Sequence, residues 1–299
     1  NYECSLEQLS DDINLIYNDL TDTLQFNMSR YLLALIQEKI VSGLYVLSPL
    51  QVKFIKKEDL THFLHDTLPE CPDIMFKTNS NMIYVVMPHK DDVLVLMGLA
   101  LMLFRLSHGC IPKDGYRFEN DVDSFYYSLQ QIGKVKRLYR IDLTASLSTM
   151  ERSLILDRVK PLVGDGSVYE LISSFLDLPI IDDDGNVRSD ISFGVIPPVG
   201  EITRVLFNIV LMDTFDREFP NKFPGITFYR FIHEVYISTR EYDEVIFDEK
   251  VGYALLEELN MAGKIVSIGP CDEPLLCYYK RLVLIDINSK VHVCYPIEY

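Results

Sequence analysis

The chain has 299 residues, 48% of them hydrophobic and 24% charged, enough apolar material for a folded core and too much for a disordered protein. Its 28 Lys and Arg against 44 Asp and Glu leave a formal charge of −16, the wrong sign for a protein held to nucleic acid chiefly by phosphate contacts. The deficit is uneven, with 2 basic and 7 acidic residues in 1–44, 12 and 11 in 45–140, and 14 and 26 in 141–299, so a polyanion would favour the middle region. Six cysteines are scattered without a CxxC pair, which excludes a written zinc ribbon or redox motif and suits reduced thiols in an intracellular setting. The most apolar stretch, Met82 to Leu106, is interrupted by His89, Lys90, Asp91, Asp92 and Arg105, so no membrane span is expected. The chain opens at Asn1 without Met, so a removed targeting peptide would leave no trace here.

In chain order, the apolar spacing predicts helices over Leu6 to Leu24 and Met28 to Val41, the second stopped by Ser42-Gly43. Tyr45 to Lys57 and Met82 to Met87 read as strands around a Pro69 and Pro72 loop. Helical spacing returns over Asp91 to Ser107 and Asp121 to Ile132, then Lys136 to Leu143 is a strand. Helices are predicted at Thr149 to Lys160, Val168 to Leu178, Glu201 to Glu218 and Lys250 to Ala262. Ile226 to Thr239 reads as two strands reversing near His233-Glu234, and Leu282 to Ile287 with Val291 to Tyr295 as a hairpin. Strands and helices mix without strict alternation, so the fold class is α+β. No Gly-rich phosphate loop, GxSxG, HExxH or EF-hand sequence occurs, which removes the common motif-borne chemistries.

Five stretches carry a family resemblance. Leu33 to Lys57 (LALIQEKIVSGLYVLSPLQVKFIKK) places Gly43, Tyr45 and Pro49 in a "GxYxxxP" phrase. Met82 to Phe118 places Pro88, Asp91, Leu103 and Gly115 in a second phrase, and Lys136 to Leu143 (KRLYRIDL) is a strand ending at Asp142. Ile196 to Leu211 (IPPVGEITRVLFNIVL) keeps Pro197, Gly200, Leu206 and Asn208, and Tyr229 to Ile237 (YRFIHEVYI) stands where "VRYADDFLI" would. Together these resemble the fingers and palm of group II intron reverse transcriptases, the intron-encoded maturases. The resemblance implies N-terminal helices over 1–44, a fingers-like region over 45–135 and a palm-like region over 136–299. It includes no helical thumb and no basic C-terminal region.

The departures from the pattern shape the functional expectation. A polymerase palm holds two Mg²⁺ ions on carboxylates from two strands, and the resemblance puts its first aspartate at Asp142 and its aspartate pair at His233 and Glu234. Imidazole is a poor Mg²⁺ ligand beside oxygen donors, and Glu234 carries its oxygens about 1.5 Å farther out than an aspartate would. Pro198 replaces the family's Gln, Thr203-Arg204 its Ser-Pro, and Ser146-Leu147 its aromatic pair. The expectation is a non-catalytic, reverse-transcriptase-like protein with no catalytic or metal residues beyond the vestigial Asp142, His233 and Glu234, and no cofactor. It would serve as a structural or assembly subunit of an organellar complex, in the mitochondrion or plastid where such maturases occur, with other protein subunits as partners.

Two alternatives stand beside it. One is an RNA-binding splicing factor without polymerase activity, using the basic run Lys134, Lys136, Arg137 and Arg140. The other is an unusual active polymerase on Asp142 and Glu234. Bland readings apply elsewhere. His62, His65 and Asp66 lack a further matched ligand, and Asp182-Asp183-Asp184-Gly185 reads as an exposed turn rather than a Ca²⁺ loop. Tyr116, Phe118, Phe125, Tyr126 and Tyr127 read as core rather than base-stacking residues.

Overall fold

The computed structural model describes residues 4–23, 28–59, 62–63, 75–79, 82–107, 116–118, 135–164, 166–191, 195–197, 199–231, 233–239, 247–271 and 292–293. The class is α+β, with two five-stranded sheets and helices mixed along the chain. Two compact units share the chain: residues 1–109, 155–206 and 289–299 form the first, and 110–154 with 207–288 form the second.

In the first unit, helices α1 (Leu6–Thr23), α2 (Arg30–Val41) and α3 (Val93–Ser107) pack together. Ser29 caps α2 by accepting from the Leu32 amide, and Gly43 at φ +69° lets the chain leave the helix, as the Ser42-Gly43 stop predicted. Leu9 and Ile13 of α1 are fully buried. They lie so close to α3 that a Cβ on Gly98 would fall 2.7 Å from Ile13 Cγ1, so the helix contact depends on that missing side chain. Arg105 of α3 pairs with the buried carboxylate of Asp12. Although α3 is apolar almost all round, no helix among the described residues is long and apolar enough to cross a membrane.

The first sheet has the order β10-β2-β3-β1-β6, from strands β1 (Leu50–Lys56), β2 (Met75–Asn79), β3 (Met82–Met87), β6 (Ile180–Ile181) and β10 (His292–Val293). The strand β1 starts five residues later than Tyr45. Tyr45 donates its hydroxyl to Asp92 Oδ1 (2.6 Å) and the Ser48 amide donates to Asp92 Oδ2 (2.9 Å), so residues 45–48 are held to the start of α3 instead of to a neighbouring strand. Those contacts join the first two of the five family-like phrases. Helices α5 (Arg152–Val163) and α6 (Ser167–Leu176) follow a short α4 (Thr144–Thr149). The three aspartates after β6 do form a turn: Asp182 Oδ1 accepts from the amides of Asp184 and Asn186, and Gly185 sits at φ +81°.

The second unit carries the sheet β4-β7-β8-β5-β9, from β4 (Tyr116–Phe118), β5 (Val135–Asp142), β7 (Thr227–Phe231), β8 (Glu234–Thr239) and β9 (Lys264–Cys271). The single helix predicted over 201–218 is two, α7 (Gly200–Asp213) and α8 (Phe215–Lys222). Thr214 breaks them at φ −114° and ψ −86°, its hydroxyl donating to the Val210 carbonyl at 2.7 Å. Helix α9 (Glu249–Glu258) is capped by Asp248, whose carboxylate accepts from the Val251 amide. The strand β9 escapes a sequence reading because Gly269 and Pro270 punctuate it; as the last strand of the sheet it tolerates both. The predicted helix at 121–132 and the first arm of the predicted hairpin at 282–287 lie outside the described residues.

Candidate functional site

Alternation gives the second sheet two unlike faces. One face is apolar: Phe228, Tyr139, Ile141, Val235 and Ile237 are all buried, and Phe215 and Phe219 of α8 pack on Phe228. The single charged residue that this face carries on β7 is Arg230. It is wholly buried and meets the equally buried Asp216 of α8 through Nε to Oδ1 (2.8 Å) and Nη2 to Oδ2 (2.5 Å).

The opposite face gathers polar groups at one end. Strand β5 pairs antiparallel with β8 so that Asp142 faces Glu234 and Arg140 faces Tyr236, and on its other side β9 sets Lys264 opposite Asp142. Residues directly opposite in such a pair have Cβ atoms about 4.5–5.5 Å apart on one face, so Asp142, Glu234, Arg140 and Tyr236 gather there. The turn between β7 and β8 is two residues long, closed by Phe231 against Glu234, which places His233 in the turn and Glu234 at the head of β8 rather than at the tip. The His233 carbonyl accepts from the Leu143 amide at 2.8 Å and locks the end of β5 to the hairpin. Behind Asp142, a Cβ on Gly263 would fall 3.1 Å from the Asp142 carbonyl oxygen. Ser146 accepts from the Ala262 amide at 3.0 Å and donates to the Ala262 carbonyl at 2.5 Å. It ties the start of α4 to the segment leading into β9.

Both oxygens of Glu234 are engaged. Arg140 pairs with Oε1, and the Tyr236 hydroxyl donates to Oε2 at 2.9 Å. Burial works against the charge on Arg140, yet the negative charge of Glu234, the Tyr236 oxygen and Asp142 outweigh it and hold the guanidinium above its ordinary pKa. As a seat for a divalent metal the donor set fits poorly: its carboxylates face an arginine and a lysine, and its imidazole lies in a turn. Among the described residues no three His, Cys, Asp or Glu side chains gather to hold a metal.

Of the other sequence-picked residues, Lys134 lies outside the described residues, Lys136 and Arg137 belong to the backbone of β5, and Arg140 faces inward onto Glu234. His65, Asp66 and 125–127 also lie outside the described residues, while His62 is exposed. In the family-like phrase Ile196 to Leu211, Pro198 lies outside the described residues. Thr203 accepts from the Val199 amide at 2.8 Å and donates to the Pro197 carbonyl, fixing the start of α7. Asn208 of α7 is buried, and its Oδ1 has no hydrogen-bond partner among the described residues. Sequence reasoning missed Tyr236, Lys264 and the Asp216–Arg230 pair. The last had a signal in an arginine set inside the apolar run TFYRFI.

No family model matches this sequence. A protein of Zea mays described as an uncharacterized 39 kDa protein in mitochondrial S-1 and S-2 DNA is 29% identical over 170 residues, 57% of this chain and 49% of that protein. The chain thus spans about half the length of the curated relative it matches. Among solved structures, telomerase from Candida albicans in complex with a TWJ fragment of telomeric RNA aligns with 71% of this chain and 47% of that chain, at 11% identity and a TM-score of 0.39. That likeness is too distant to carry an argument.

Proposed function

We propose that this chain is a non-catalytic, reverse-transcriptase-like protein acting as a structural or assembly subunit of a mitochondrial protein or ribonucleoprotein complex. The carrying observation is the state of Glu234, whose two oxygens are taken by Arg140 and Tyr236. Support for a palm-derived sheet comes from register: Asp142 and Glu234, on adjacent strands, stand directly opposite one another, the convergence that a two-carboxylate metal site needs. Support for the compartment comes from the maize relative, whose description places it in mitochondrial DNA.

Two measurements test this. Primer extension on RNA and DNA templates with Mg²⁺ or Mn²⁺ is expected to give no incorporation; incorporation abolished by Asp142→Ala would overturn the non-catalytic reading. Affinity purification from the native source, with half of the sample treated with RNase, is expected to return the same protein partners from both halves.

An RNA-binding role is the second reading, favoured by a different observation. On the first sheet Phe54 and Tyr84 meet edge to face at 5.1 Å, the Arg188 guanidinium lies 4.9 Å over the Phe54 ring, and β1 also carries Lys53 and Lys56. Aromatic and arginine planes of this kind stack on bases. Partners that vanish with RNase, and a salt-dependent RNA affinity weakened by Phe54→Ala, would favour it over the scaffold.

A further inference from the structure

We infer that the Arg140 guanidinium stands in for a divalent metal ion on the Asp142–Glu234 carboxylates, and that removing this one cation turns the polar end of the second sheet into a divalent-cation site. The inference rests on the palm-derived reading of that sheet. Two carboxylates facing each other across adjacent strands repel, and the repulsion grows as water is withdrawn. Glu234 is only 14% exposed, so solvent alone does not screen its carboxylate. A cation relieves that repulsion, and it can be supplied by a bound ion or by a side chain anchored in the sheet. Arg140 precedes Asp142 by two residues, so alternation aims both at the same face. Its planar fork, which cannot be deprotonated, suits a carboxylate better than a flexible ammonium does.

The Tyr236 hydroxyl adds to the replacement by donating to Glu234 Oε2, so that each oxygen of that side chain already has a partner. Lys264, opposite Asp142 on β9, adds a second positive charge beside the first carboxylate. A tethered guanidinium competes at high effective concentration, and its dehydration costs less than that of a free divalent ion. An incoming ion would have to displace Arg140 before it met the Glu234 carboxylate. Without Arg140, the same register leaves two facing carboxylates with no tethered cation on Glu234.

The test uses the full 299-residue chain and Mn²⁺ alone as probe, since carboxylate sites accept it with looser geometry than Mg²⁺ and free Mn²⁺ is read directly by EPR. The wild type is expected to leave Mn²⁺ free. Arg140→Gln is expected to bind one ion at least about tenfold more tightly, in the range of sites with few carboxylates. Adding Lys264→Gln should tighten binding further, adding Glu234→Gln should abolish it, and Arg140→Lys, which keeps a cation, should behave as the wild type. If Arg140→Gln binds Mn²⁺ no better than the wild type, or if the gain survives Glu234→Gln, the inference fails. Should Arg140→Gln be unfolded without metal, refolding on Mn²⁺ addition supports the inference and persistent unfolding overturns it. Primer extension by the wild type would sink the non-catalytic reading instead, so the two failures are distinguishable.

Discussion

Two arginines on opposite faces of the second sheet do opposite things with the same chemistry. Arg230 and its partner Asp216 are both wholly buried against the aromatic rings of α8. Arg140 and Glu234 keep 17% and 14% exposure on the polar face, with Asp142 and Lys264 alongside. The first pair is a structural bolt, fork to fork, between a helix and a strand. The second neutralises Glu234, a carboxylate that faces Asp142 across adjacent strands. Burial is the variable that separates them, because an uncompensated charge costs most where water is absent.

That comparison fixes the order of mutational effects. The largest belongs to Asp216→Ala, which strands the Arg230 charge in an apolar layer and should cost about 3–5 kcal/mol in urea unfolding. The double replacement Asp216→Leu with Arg230→Met, which removes both charges and keeps bulk, should recover most of that loss; a double variant as unstable as the single one would contradict the bolt. Arg140→Gln should cost less, about 1–3 kcal/mol, since Glu234 keeps the Tyr236 hydroxyl and some water. Tyr236→Phe removes one hydrogen bond while leaving the ion pair, so about 1 kcal/mol is expected. If Tyr236→Phe proves as damaging as Arg140→Gln, the guanidinium is not the dominant partner of Glu234.

Periodicity made the two N-terminal helices, the apolar helix α3 and the strand pairs β5 and β7–β8 legible, because each places its buried side chains at a spacing that local sequence records. What stayed hidden depends on partners remote in sequence. Tyr45 looks like the start of a strand until Asp92 claims its hydroxyl. β9 reads as broken until its edge position makes Gly269 and Pro270 harmless. For the candidate site, sequence picked out Asp142, His233 and Glu234, but the register that sets Asp142 against Glu234 and Lys264 is a tertiary fact. Arg140 was grouped by proximity in sequence with Lys134, Lys136 and Arg137, although alternation and the Glu234 carboxylate give it a separate role.

The first unit supplies a milder contrast to both pairs, a buried carboxylate compensated by neutral donors. Asp92 is 2% exposed and receives hydrogen bonds from the Tyr45 hydroxyl and the Ser48 amide rather than from an arginine. Burial raises its pKa, and the two hydrogen bonds pull it only part of the way back. Between the unfolded value, near 3.9, and the raised folded value, the folded state binds more protons than the unfolded one. Stability from this residue is therefore greatest below the unfolded pKa and declines as pH rises through the folded one. Asp92→Asn keeps an acceptor for Tyr45 but cannot titrate, so the wild-type advantage over this variant should shrink as pH is raised from the acid end. A stability difference that instead grows with pH across that window would mean that Asp92 is held as a favoured anion, against the direction that its burial sets.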